Sequence, residues 1–253
     1  MPFAITITRF NLRLFLSFIL LFVTSVTFSQ EKPAGPDRKL KAMASFSLNS
    51  NGISSIPSFS LGKPAIVASA SLIKNRFSYD PTLAYGLDLR PWYIDNWLHY
   101  KIITKPSFEL RGGFNVSSFF TKHLTETEPL LTGERYFAFS LDGTYKFNPN
   151  TIVSLAYWND RGQESISIKG HFIDLTGERT DIRLGNKLLM AVNVQLFYIN
   201  YDGNNDGLFV SPKISTYVRD VPLSLFFQAT QSIQSNIEPW PGFRWNLGIS
   251  YSL

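Results

Sequence analysis

Phe243, Trp245, Leu247, Ile249, Tyr251 and Leu253 occupy every second position of the last stretch of the chain, with Arg244, Asn246, Gly248, Ser250 and Ser252 between them. Successive side chains of a β-strand point to opposite faces, so this order puts one wholly apolar face and one polar face on a single strand, whereas a helix would scatter both sets. The pattern recurs. Phe77, Tyr79, Leu83, Tyr85 and Leu87 alternate with Arg76, Ser78, Asp80, Thr82, Ala84, Gly86 and Asp88. Phe137, Phe139, Leu141, Tyr145 and Phe147 alternate with Tyr136, Ala138, Ser140, Asp142, Thr144 and Lys146. Phe108, Leu110, Phe114 and Val116 alternate with Ser107, Glu109, Arg111 and Asn115. A chain built this way is an all-β protein with one face toward an apolar medium and the other toward polar surroundings.

A soluble β-sandwich also alternates, so other features must separate the two architectures. The alternating segments are long, near the 9 to 11 residues of a tilted membrane strand, and their aromatic residues gather toward the ends of the apolar faces. The chain closes on Tyr251-Ser252-Leu253 without a polar tail. In that last strand the sequence resembles the outer-membrane β-barrel superfamily, whose final strands end in alternating aromatic and apolar residues. The resemblance extends as a pattern over 39–253, while the terminal motif is short. It implies an antiparallel transmembrane β-barrel in the Gram-negative outer membrane, surrounded by outer-membrane lipid and inserted by the barrel-assembly machinery through the C-terminal strand.

Turn signals divide 39–253 into about 12 strands, within a range of 10 to 14; an even number is the rule for single-chain bacterial barrels. Short links such as Lys74-Asn75, Lys105-Pro106 and Asn148-Pro149-Asn150 fit periplasmic turns, and longer links such as Thr121 to Glu134 and Asp160 to Glu164 fit outward loops. The link from Asp174 to Asn186 breaks the alternation by being long where a short turn is expected.

The N-terminus reads as an export signal. Arg9 and Arg13 precede the apolar run from Leu14 to Val23, and small and polar residues lead to Gln30; this is a charged n-region, an h-region too short to span a bilayer, and a cleavage zone. The expected organisation is a signal peptide over 1–30, a periplasmic tail over 31–38 and the barrel over 39–253. Removing 1–30 takes away two cations and no acid, so the formal charge falls from +5 to 5 − 2 = +3. That excess is mild and dispersed and gives no reason to expect nucleic acid as a partner.

Chemistry-bearing motifs are few. The chain has no cysteine, which removes disulfides, thiolate metal sites and cysteine nucleophiles. A barrel hydrolase needs a nucleophilic Ser bonded to a His oriented by a third group. The three histidines, His99, His123 and His171, have no Ser two residues away on the same strand face, so no enzyme is expected. The stretch Asp202-Gly203-Asn204-Asn205-Asp206-Gly207 opens like a calcium loop, but Lys213 stands where the closing Glu belongs, and no metal or other cofactor is expected. Arg111-Gly112-Gly113 reads as a strand kink.

Function is therefore sought in the lumen. Lipid takes the apolar faces, so the polar faces turn inward. By that rule the pore lining comprises Arg76, Arg90, Lys101, Glu109, Arg111, Asp142, Lys146, Lys169, Lys213 and Arg244, together with Asp80, Asp88, His99 and His171. Cations outnumber acids about two to one in this set by alternation alone. The expectation is a porin-like channel for small hydrophilic solutes, small anionic solutes among them, with specificity in the lumen cations and the loop from Thr121 to Glu134. The alternative is a non-conducting structural or adhesive barrel that binds a partner through its outer loops, since 12 strands lie between filled and open barrels.

Overall fold

The computed structural model describes residues 39–253 except 55–59, 125–128, 165, 166, 168, 202, 204 and 238–241, and except the side chains of 122–130. The expected signal peptide over 1–30 and tail over 31–38 lie outside the described residues.

Twelve strands follow one another: β1 (Lys41–Asn49), β2 (Ala65–Lys74), β3 (Phe77–Gly86), β4 (Pro91–Thr104), β5 (Phe108–Leu124), β6 (Pro129–Asn148), β7 (Thr151–Gly162), β8 (Lys169–Arg183), β9 (Leu188–Tyr201), β10 (Asn205–Val218), β11 (Leu223–Ser235) and β12 (Arg244–Ser252). Each pairs with its sequence neighbour, and β1 pairs antiparallel with β12, so the sheet closes into an antiparallel barrel without an edge. Closure matters because an unpaired strand edge cannot be satisfied in hydrocarbon.

Both described chain ends lie at the end of the barrel with the tight turns. These include the turn at Asn75, whose φ of 56° is tolerated by Asn, and the turn at Asp220, with φ 65°. That end is the periplasmic one by the usual topology of such barrels.

Two sequence expectations about links change. The long link from Asp174 to Asn186 is strand, since β8 runs to Arg183 and leaves only 184–187 as a turn. Alternation was hidden there because Gly177 and Arg179 interrupt the apolar face and a bulge between Arg179 and Ile182 shifts the parity. The expected outer loop from Thr121 to Glu134 is mostly the continuation of β5 and β6, paired from Phe119 with Glu134 to Leu124 with Pro129. These strands rise beyond the lipid, where neither face needs to be apolar.

The outside carries the apolar residues that the sequence assigns to it. Phe139 is 60% exposed, Leu247 54% and Leu225 59%. A belt of this kind is far larger than a soluble monomer exposes, and it is the kind of surface a membrane-spanning barrel turns to lipid.

Candidate functional site: the barrel interior

Residues directly paired across strands share a face, so the ladder fixes which side chains point into the interior. The midlevel wall on the β2 to β6 side is a polar network. Asp80 on β3 accepts hydrogen bonds from Ser71 and, at 2.8 Å, from Ser78, and it pairs with Nδ1 of His99 at 2.8 Å. On its other side His99 Nε2 stands 3.9 Å from Asp142, which also accepts from Ser140 at 3.0 Å and lies 3.4 Å from Arg111 Nε. The imidazole thus bridges two carboxylates, with its ring stacked on Trp97 at 5.2 Å. Gly113 makes room for this arrangement: a Cβ there would sit 2.7 Å from the His99 ring and would also strike the Ser140 hydroxyl. Toward the periplasmic end Lys101 and Glu109 form an ion pair at 2.7 Å.

On the β8 to β10 side Asn193 donates to Glu178 at 3.3 Å, and the Lys213 ammonium lies 4.4 Å above the Phe226 ring. Glu178, Asn193 and Lys213 line a cavity of about 280 Å³ with Thr180, Ala191 and Ser215. The periplasmic half of the interior is therefore polar and contains open volume.

The extracellular half is different. Phe172, Phe197, Ile199, Tyr201 and Phe209 form a buried apolar cluster with Ile237 from the β11–β12 connection, and Trp158 packs against it. Ring centroids run from Trp158 to Phe172 at 4.2 Å, to Phe197 at 5.6 Å and to Phe209 at 5.1 Å. Across the barrel, Ala65, Ala84 and Trp92 form a second cluster with Leu61, Val67 and Tyr93. There the β1–β2 connection turns back on itself: the Gly52 carbonyl accepts from the Leu61 amide at 2.8 Å, and the Gly52 amide donates to the Lys63 carbonyl at 2.9 Å. Between the clusters Trp97 approaches Trp158 to 6.0 Å. The interior is thus narrowed by aromatic side chains in its outer half.

The sequence-derived lining divides accordingly. Lys101, Glu109, Arg111, Asp142, Lys146, Lys213 and Arg244 face inward, as do Asp80 and His99, by their register partners. Arg76 and Arg90 do not join the wall. Arg76 occupies the β2–β3 turn and reaches the Ile102 carbonyl at 3.4 Å, while Arg90 lies at the opposite rim, 3.5 Å from Asp88. Lys169 and His171 are on the outer face, because Lys169 pairs with Arg161 and His171 with Asn159, whereas the inward residues of this stretch are Gly170 and buried Phe172. Polarity assigned that strand to the wrong register because the lumen here is apolar.

Alternation also missed interior acids. Asp95 accepts from Asn115, and Asp160, Asp174 and Glu178 are inward by pairing with Ala138, Ala156 and Ile152. Asp95 shares parity with Trp97, His99 and Lys101 and could have been read from β4, while Asp160 and Asp174 fell in stretches taken as links. With them included, the inward set placed here holds seven acids, Asp80, Asp95, Glu109, Asp142, Asp160, Asp174 and Glu178, against five cations, so the twofold excess of cations is gone. His123 lies on β5 with its side chain outside the described residues, as do Asp202 and Asn204 of the calcium-like stretch; Asp206 of that stretch accepts from the Tyr198 hydroxyl at 2.9 Å.

No protein-family model and no curated protein matches the sequence. Among solved structures the barrel is similar to the KdgM porin in complex with disordered oligogalacturonate, with a TM-score of 0.54, 12% identity, and 83% of this chain and 99% of that chain covered. The KdgM porin alone gives the same figures, TM-score 0.54 at 12% identity over 83% and 99%. The NanC porin has a TM-score of 0.49 at 8% identity, covering 84% of this chain and 100% of that chain. The fold is that of the outer-membrane porin-like β-barrels.

Proposed function

We propose that this chain is a porin-like channel of the Gram-negative outer membrane that passes small hydrophilic solutes, delivered there by the export signal read over 1–30. The observation that carries this reading is the periplasmic half of the interior. It is lined by ionic and amide side chains around open volume at Glu178, Asn193 and Lys213, a wall suited to hydrated solutes and costly to bury without water. The aromatic narrowing at Trp97 and Trp158 sets the size limit in this reading, so the solutes are small. A barrel of this fold is described with oligogalacturonate, which makes small anions the first class to try. In this chain Arg111, Lys213 and Arg244 are the cations that would meet them.

One observation favours a second reading. The apolar cluster around Phe197 and Phe209, capped by Ile237, is the kind of interior a filled barrel has, and a filled barrel would act through its outer loops.

Conductance of the purified, heat-modifiable protein in a planar bilayer under a salt gradient decides between them. Steady single-channel currents are expected from the channel. A folded barrel that stays silent supports the filled barrel instead.

A further inference from the structure

The outer face holds a cationic group that neither lipid chains nor the lumen explains. Arg161 on β7 and Lys169 on β8 are direct register partners, so their side chains leave the same face about 5 Å apart, an arrangement that is destabilising for like charges. Arg161 is oriented by its Nε donating to Asn159 Oδ1 at 3.0 Å, and among the described residues neither cation has a carboxylate within ion-pair distance. His171 stands beside them on β8, its Nδ1 2.7 Å from the Tyr157 hydroxyl. The nearest outward acids are committed elsewhere: Glu164 to Arg135 at 2.9 Å, and Asp206, two strands away, to Tyr198. Asp160, the neighbour of Arg161, faces inward; it is near enough to feel the Arg161 charge but forms no ion pair with it.

The position of the group matters as much as its charge. Phe137 is the register partner of Arg161 on β6, and Tyr157 lies on the same outer face two positions below Asn159. Aromatic residues on the outer face of such barrels mark the level where hydrocarbon gives way to headgroups. Arg161 and Lys169 therefore emerge at headgroup height in the leaflet at the long-connection end.

We propose that Arg161 and Lys169, with His171 beside them, form a binding site for the phosphate headgroup of an anionic lipid in the outer leaflet. A phosphomonoester carries nearly two negative charges and several acceptor oxygens, so one group neutralises both cations and removes their mutual repulsion. The lipid tails then lie along the apolar wall below.

Native mass spectrometry of the folded full chain in non-ionic detergent tests this with dioleoyl phosphatidic acid against dioleoyl phosphatidylcholine. Wild-type protein is expected to retain phosphatidic acid preferentially. R161Q/K169Q is expected to weaken that retention about tenfold or more, since charge-assisted hydrogen bonds are lost. K74Q/R219Q, at the opposite rim, is expected to retain the lipid like wild type. Equal retention by wild type and R161Q/K169Q overturns the site. Full displacement of phosphatidic acid by about 1 mM inorganic phosphate, well below what tail burial should resist, overturns the lipid as its ligand and leaves a free-anion site. If the double variant does not fold, K169Q alone gives the same readout with one cation removed. Conductance does not depend on this outward group, so failure here leaves the channel reading intact.

Discussion

Trp97 on β4 and Trp158 on β7 meet with ring centroids 6.0 Å apart although β5 and β6 stand between them. Three strand spacings are about 14 Å of wall, so the two indoles arch over the small residues Gly113, Ala138 and Ser140 rather than lying side by side on it. The lumen is therefore reduced at this level by two side chains. Trp97→Ala is expected to enlarge single-channel conductance, at a stability cost of up to about 3 to 5 kcal/mol for removing a packed Trp. Unchanged conductance from a folded variant would show that the current does not pass this point.

Gly113→Ala tests the polar network beneath that arch. The added methyl meets the His99 ring and the Ser140 hydroxyl, and overpacking of this kind costs about 1 to 3 kcal/mol. The expected outcome is a lower temperature for the shift from folded to unfolded mobility on a gel.

Arg111 lies 3.4 Å from Asp142. Arg111→Glu places a second carboxylate beside the first, and the reversal potential in a salt gradient is expected to move toward cation preference. An unmoved potential would take Arg111 out of the conducting path.

Phe139→Arg and Leu247→Arg test the lipid face. Both residues lie outward; a cation costs roughly 2 to 4 kcal/mol near the bilayer midplane, toward which Leu247 sits between Trp245 and Tyr251, and less at Phe139, the next outward residue below Phe137. Poor insertion, read as loss of the heat-modifiable folded band, is expected for both.

The strands and the outer face were legible because an apolar surround is an unforgiving solvent: most outward positions are apolar, and period two follows. The lumen obeys no such rule. Phe172 and Phe197 turn inward to other aromatic rings, so polarity misplaced Lys169 and His171, and Asp174 disappeared into a stretch that looked like a turn. The network joining Asp80, His99 and Asp142 draws on β3, β4 and β6, and no local pattern announces a meeting of residues so far apart in sequence.

Acid should loosen one outer connection. Burial works against the Glu164 charge, but hydrogen bonds from the Arg135 side chain and amide hold its carboxyl below the usual range. A carboxyl depressed on folding stabilises the folded state above its unfolded pKa, and that contribution is lost as pH falls through the folded value. Hydrogen exchange at the Arg135 amide, bonded to Glu164 at 2.8 Å, is expected to quicken relative to neighbouring strand amides as pH drops below about 4. Glu164→Gln should show no such extra change.

The seam between β1 and β12 pairs Ser45 to Asn49 with Gly248 to Ser252 and is extended only by backbone bonds of Ala44 with Leu253 and of Ser50 with Leu247, whereas β5 and β6 pair over the whole of Phe108 to Leu124. Every other junction of the wall is a hairpin that can zip from a local turn, but this one must bring together segments separated by nearly the entire barrel. It pays the largest loop-closure entropy for the fewest rungs. Gly248 sits in it, and a Cβ there would come 2.6 Å from the Leu48 carbonyl oxygen. The seam is thus where assembly finishes and where thermal opening should begin, a latch whose short length makes the cylinder slow to close and the first part to part.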